Sequence, residues 1–215
     1  MSRLAISTSD FRFYYEIVKL LKEWSLPFVN LTEDQEMPED VVAVLSSSSD
    51  RETVPQQIRG VTAIGSLRKS LPRFIDQVRF DRIVIGIDPG PRPGVAIVAD
   101  GILIEAIESP TIDSLTDFVK SALDDYPYEL VSVRVGNGDK PNRDLIIDNL
   151  RTLNLSVVIV DESNTTIPHR RENNALSAAI IAMARSNPDL ANVPRKKNLN
   201  SIEKNFVTIR NVIYS

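Results

Sequence analysis

Ile83-Val84-Ile85-Gly86-Ile87-Asp88-Pro89-Gly90, followed by Gly94-Val95-Ala96-Ile97-Val98, decides how the rest of the chain is read. The first run has the apolar composition of a buried strand. Asp88-Pro89-Gly90 stops it, and Pro91, Pro93 and Gly94 make a tight turn. The second run is the next strand and Ile102–Glu108 a third. Asp100-Gly101 between them is the signature of a two-residue hairpin. Three strands in succession predict an antiparallel meander.

Downstream, strands and helices alternate. Helices are expected at about Ser114–Asp124, Asn142–Thr152 and Glu172–Arg185, with Asn187-Pro188 ending the last. Strands are expected at Val131–Val135 and Leu155–Val160, so the order from residue 83 is βββαβαβα. A basic run, Arg195-Lys196-Lys197, leads to a last apolar stretch at Phe206–Tyr214, expected as a strand. Upstream, Leu4–Ser7, Pro27–Leu31, Val41–Leu45 and Val61–Ile64 are strand-like. Ser9 or Asp10 can cap a helix to about Trp24, whose Phe11, Tyr14, Tyr15, Val18 and Leu21 recur at helical spacing. Phe11, Tyr14 and Tyr15 are expected in the core, although exposed aromatics there would suit base stacking. Ser66–Val78 is expected to be helical, with Pro72 interrupting it. Strands alternating with helices predict a parallel sheet. The boundary falls near residues 78–82: a small α/β domain over 1–80, then a second α/β domain over 81–215 with a basic extension.

The 215 residues are enough for one large domain or two small ones. Hydrophobic residues make up 42% and charged residues 25%, a globular balance that excludes disorder as the main state. The absence of cysteine excludes a disulfide framework, a thiolate metal site and a cysteine nucleophile. No apolar run reaches about 18 residues, so no membrane span is expected. The start, MSRLAISTSD, lacks a secretory apolar region, and a cytoplasmic location is expected. A net charge of −4 argues against a generic nucleic-acid coat. The charge is uneven: residues 81–160 carry 7 bases against 13 acids, residues 161–215 carry 8 against 5. An acidic middle beside a basic end fits a metal site next to a phosphate-binding surface. Scatter over a solvated surface would give the same count.

Asp88 carries the chemistry. It ends a buried strand among backbone groups open to a ligand, where phosphoryl-transfer sites place an acid to hold Mg²⁺. A ligand-free Asp-Pro-Gly turn has the same sequence. His169-Arg170-Arg171, Lys196 and Arg92, the last in the turn beside Asp88, can contact phosphate. His169 can also shuttle a proton or simply sit in a solvated loop.

The segment from Ile83 to Val98 resembles the first hairpin of the RNase H-like superfamily, in its RuvC/YqgF branch. Val135–Arg143 resembles the glycine- and asparagine-rich loop after the fourth strand of YqgF-type domains, including those of the transcription accessory protein Tex. Val158–Thr166 resembles the fifth strand and its ending, with Ser163 in place of an arginine. Asn174–Ile181 resembles the last helix. The resemblance covers about residues 82–186 and implies a mixed five-stranded sheet with flanking helices. It also implies metal-dependent hydrolysis of phosphodiesters in branched DNA or structured RNA, with Mg²⁺ or Mn²⁺ as cofactor and a homodimer as the working form. By resemblance Asp88, Glu162 and Asn174 are the catalytic set, with Asp161 able to replace Glu162. Asp88, Glu162 and Asp139 are the metal ligands; Arg92, Arg170, Arg171 and Lys196 meet the nucleic acid. The chain departs from the family at Asn174, where an acid is the rule. An amide oxygen brings no charge, and Glu172 lies on another side of the helix. The alternative is therefore a catalytically weakened module that binds nucleic acid or a protein partner. An actin-like or sugar-kinase-like ATPase would need a second phosphate loop, which residues 1–80 lack.

Overall fold

The computed structural model describes residues 2–32, 35–160 and 173–184. They form a mixed α/β structure with two sheets. The described chain divides into two units: one holds the residues up to Phe80 with Ala122–Pro127, the other Asp81–Ser121 with the described residues from Tyr128 on.

The first unit holds β1 (Arg3–Ile6), α1 (Phe11–Glu23), β2 (Phe28–Asn30), β3 (Val41–Ser47), β4 (Gln57–Gly60) and α2 (Ala63–Ser70). A short 3-10 turn, Leu71–Ile75, follows. The strand order is β2-β1-β3-β4 and every pairing is parallel, as expected. Asp10 starts α1 by accepting from the N–H groups of Arg12 and Phe13, both at 3.0 Å. Ile17, Leu21, Leu45 and Leu67 fill the space between helices and sheet. Arg68, buried in α2, pairs with Asp125 at 3.1 Å and lies over the Tyr126 ring.

Three expectations fail in this unit. Val61–Ile64 is not a strand: β4 ends at Gly60, Val61 stands exposed, and Thr62 caps α2 by accepting from the Gly65 N–H. Short apolar runs do not distinguish a strand end from a helix start. The helix expected at Ser66–Val78 is therefore shifted, and its α-helical part stops at Ser70, ahead of Pro72. The aromatic residues of α1 also turn the other way. Phe13, Ile17 and Leu21 are buried, whereas Phe11 is 90%, Tyr15 73% and Tyr14 37% exposed. Two apolar stripes at helical spacing run along this helix, and spacing alone does not say which one faces inward.

The second unit's elements are β5 (Phe80–Asp88), β6 (Gly94–Ala99), β7 (Ile102–Glu108), α3 (Ile112–Asp125), β8 (Tyr128–Gly136), α4 (Lys140–Arg151), β9 (Val157–Val160) and α5 (Asn174–Met183). The expected order βββαβαβα is present. The strands lie as β7-β6-β5-β8-β9. β5, β6 and β7 are antiparallel, and the turn between β6 and β7 has positive φ at Asp100 and Gly101, as a two-residue hairpin turn requires. β8 and β9 are parallel. The Phe80 N–H donates to the Pro127 carbonyl, so β5 and β8 start side by side and run the same way. Asp88, Gly136 and Val160 therefore end three neighbouring strands at one edge.

α5 covers this sheet through Ala175, Ala178, Ala179 and Ala182, against Val84, Ala96, Val98, Leu103 and Ala106. Two glycines let it approach. A Cβ at Gly94 would lie 1.8 Å from the Asn174 carbonyl oxygen, and one at Gly86 2.1 Å from that of Ala178. Among the described residues no helix is long and apolar enough to cross a membrane.

Candidate functional site

Asp88 is the last residue of β5, half-buried and paired across the hairpin with Gly94. Because Gly94 admits the start of α5, Asn174 comes to the same sheet end from 86 positions along the chain. Its amide Nδ2 donates to the Arg92 carbonyl at 2.5 Å, tying α5 to the β5–β6 turn. Asn173, just before it, caps α5 by accepting from the Leu176 N–H. The Arg92 side chain, 71% exposed, pairs with Glu108 at 2.8 Å.

The far end of α5 is fixed as firmly. Arg134 of β8 is buried, and its guanidinium donates to the carbonyls of Ala182 at 2.6 Å and Ala184 at 2.5 Å. Burial, and Arg82 nearby, push its pKa down. Two carbonyls left over by the helix end thus find a donor inside the molecule.

Asp139 follows β8 and is the N-cap of α4: its carboxylate accepts from the Asn142 N–H at 3.3 Å and amide at 2.8 Å. Arg143 of the first turn of α4 reaches back to the Asn137 side chain and pairs with Asp144. Asp88 and Asn174 share one place, and Asp139 is occupied as a helix cap. Asp161, Glu162, His169, Arg170, Arg171 and Lys196 lie outside the described residues, as do Glu172 and the stretch 206–214.

Among the described residues this sheet end carries the carboxylates Asp88, Glu108 and Asp139 and the amide oxygen of Asn174, with Glu108 paired to Arg92 and Asp139 capping α4. No group of three or more metal-ligating side chains occurs among them. A two-metal phosphodiester site needs several converging carboxylates, and among the described residues these do not converge in that way.

A second polar cluster stands at the C-terminal ends of β1 and β3, where the strand order reverses and open α/β sheets bind ligands. Asp50 accepts from the Thr8 hydroxyl (2.5 Å), the Ser9 N–H (2.9 Å) and hydroxyl (2.7 Å), and the Ser47 N–H (2.8 Å). Asp10 accepts from the Ser47 hydroxyl besides capping α1. The Phe13 N–H, then the Ser47 hydroxyl and Arg12 N–H, hold the Asp10 carboxyl below its usual range against desolvation and the Asp50 charge. For Asp50 burial pushes upward, yet the donors from Thr8, Ser9 and Ser47 outweigh it and the pKa falls. Both carboxylates are filled by donors of their own unit and staple the β1–α1 connection to the end of β3. In the sequence Ser46–Ser49 looks like an ordinary polar turn. The usable signal was that Thr8–Asp10 and Ser46–Asp50 each follow an apolar strand of one parallel sheet.

Residues 3–77 match the family model of a response regulator receiver-like domain, so about a third of the chain is similar to that domain. This overturns the RuvC/YqgF resemblance: the matching family is a different one, and it lies in the first unit. The pieces behind that resemblance are strand ends, glycine turns and a small-residue helix, which this sheet needs for packing whatever its kinship. No curated protein matches the chain. Among solved structures it is similar to Marinitoga piezophila Argonaute, crystallised in complex with 5′ OH guide RNA and target DNA. Identity is 13%, the TM-score is 0.27, and the likeness covers 76% of this chain and 39% of that one. The chain thus spans well under half of that protein, and a likeness this slight carries no argument.

Proposed function

We propose that the second unit is a nucleic-acid-binding module that holds phosphodiester backbone at the sheet end marked by Asp88 without hydrolysing it. The observation that carries this reading is the Asn174 amide bound to the Arg92 carbonyl. A residue at a place suited to a ligating acid is here a neutral clamp. Two helices, α4 and α5, begin at this edge, and helix N-termini favour anions. Arg92 is exposed beside them, and the chain beyond residue 160 is rich in arginine and lysine. As architecture only, with no family kinship attached, we assign the strand order β7-β6-β5-β8-β9 to the RNase H-like type.

The second reading is a metal-dependent nuclease acting on branched DNA or structured RNA, with Mg²⁺ or Mn²⁺ at Asp88. It is favoured by the place of Asp88 at a strand end beside Asn174, and by the acid Glu162 after β9 in the sequence. The test is fluorescence anisotropy of a labelled four-way junction, a single strand and a structured RNA, titrated with the full chain at several salt concentrations. Binding that weakens steeply with salt supports a phosphate-binding surface. No binding to any of the three at low salt sinks it.

A further inference from the structure

Of the chain's eight glycines, Gly138 alone follows an asparagine. Asn137-Gly138 lies exposed in the three-residue connection between Gly136, which ends β8, and Lys140, which begins α4. The Asn137 N–H donates to the Val160 carbonyl at 3.0 Å, anchoring the connection to the sheet end. The Asn137 side-chain oxygen accepts from an Arg143 Nη at 2.5 Å. Arg143 is itself held: its other Nη and its Nε donate to Asp144 at 2.8 and 2.9 Å, and its side chain is only 13% exposed. Among the described residues no hydrogen bond engages the Asn137 amide nitrogen or the Gly138 N–H.

An asparagine before a glycine can close a ring on the main chain. The Gly138 nitrogen, after giving its proton to base, attacks Cγ of Asn137. The N–Cγ bond forms, the Cγ–Nδ2 bond breaks, and Nδ2 takes up a proton and leaves as ammonia. Water then opens the succinimide at either carbonyl. One opening gives aspartate, the other isoaspartate, whose main chain runs through the former side chain. Nothing is oxidised or reduced. Gly138 brings no Cβ to crowd the attack, and nothing lies within 4 Å of where one would stand. Negative charge develops on the Asn137 oxygen in the tetrahedral intermediate, and the Arg143 guanidinium is already fixed on that oxygen. Asp100-Gly101, in the turn between β6 and β7, could form the same ring. Its carboxylate is instead occupied by the N–H groups of Asp81 at 3.2 Å and Arg82 at 2.9 Å, and a carboxylate anion is a poor target for a nucleophile.

We propose that Asn137 is a self-modifying site: activated by Arg143, it converts to aspartate and isoaspartate with release of ammonia. The conversion adds a negative charge at the sheet end that carries Asp88, so the charge of this end changes with the age of the molecule. The inference does not rest on the proposed nucleic-acid binding. To test it, the 215-residue chain is incubated at physiological temperature in heavy-oxygen water and its peptides are mapped by mass spectrometry. Asn137 is expected to lose ammonia and gain labelled oxygen, with isoaspartate among the products, while the Asp100 peptide stays unlabelled. Gly138→Ala is expected to slow the conversion by about tenfold or more, and the open space there lets the variant fold. Arg143→Met is expected to slow it by about tenfold. The folded chain is expected to convert faster than the same chain in urea, because the guanidinium is in place only in the fold. An Asn137 that stays intact overturns the proposal. So does an Arg143→Met variant that converts as fast as the parent. Faster conversion in urea also overturns it, because the fold would then restrain the pair instead of activating it.

Discussion

In the first unit helices rest on their sheet through long side chains, Ile17 and Leu21 from α1 and Leu67 from α2 against Leu4 and Leu45. In the second, α5 comes down on alanines, and at Gly86 and Gly94 its backbone meets the strands directly. The polar residues at the sheet ends differ in the same way. Asp10 and Asp50 are held by donors from two neighbouring loops, so their cluster is built from local turns. Asn174 reaches the strand end that carries Asp88 only because a distant helix docks without a gap. A site made by close backbone approach depends on single atoms in the core; a site made by hydrogen-bonded loops depends on many weak contacts near the surface. The two units should therefore fail differently.

The largest effect is expected at the close approach. Gly86→Val or Gly94→Ala forces α5 away, since no flexible atom can yield at contacts this short, and should destabilise by about 3 kcal/mol or more. Urea unfolding of the full chain checks this. A cost below about 1 kcal/mol would show that α5 can shift, removing the contrast. Next comes Arg134→Met, which keeps much of the volume but leaves the Ala182 and Ala184 carbonyls without their donor. About 2 kcal/mol is expected. If the variant is as stable as the parent, water replaces the guanidinium and the buried arginine is dispensable.

In the first unit Asp50→Ala leaves the Thr8, Ser9 and Ser47 donors without their common acceptor and is expected to cost about 2 kcal/mol at neutral pH. The sign of its pH dependence follows from the lowered pKa. The folded carboxyl titrates below the ordinary aspartate range, so its contribution is present above that range and is lost as pH falls through the folded pKa. Between neutral pH and about pH 3 the parent should therefore lose more stability than Asp50→Asn. Equal losses would place the acid sensitivity elsewhere. The smallest effect on stability is expected for Arg92→Ala, under about 0.5 kcal/mol, because the arginine end of its pair with Glu108 is exposed. Its binding of nucleic acid should nonetheless weaken severalfold, with a salt slope shallower by about one unit. Unchanged binding would remove Arg92 from the interface.

Much of the architecture was legible in the sequence because strands and turns announce themselves locally. Asp88-Pro89-Gly90 and Asp100-Gly101 fixed two turns of the meander, and Asp10 the start of α1. What was not legible depends on tertiary choices. Phe11, Tyr14 and Tyr15 repeat at the same helical spacing as Phe13, Ile17 and Leu21, and only packing against β1 and β3 decides which set is inside. Val61 and Ile64 belong to a turn and a helix, because Thr62 supplies a cap that outweighs strand propensity. Asn174 was marked as a position of interest, but its bond to a backbone carbonyl 82 residues away leaves no trace in any local pattern. The RuvC/YqgF resemblance failed for a related reason: glycines, a turn aspartate and alanines record how tightly a helix meets a sheet, and kinship is a separate matter.

The most direct test of a binding end without hydrolysis is a single-turnover assay. A labelled four-way junction and a structured RNA are incubated with an excess of the 215-residue chain in Mg²⁺ or Mn²⁺, beside Asp88→Asn and Asn174→Asp. The account predicts that the parent and Asp88→Asn leave both substrates intact while bound. Metal-dependent cleavage by the parent that vanishes in Asp88→Asn would contradict it.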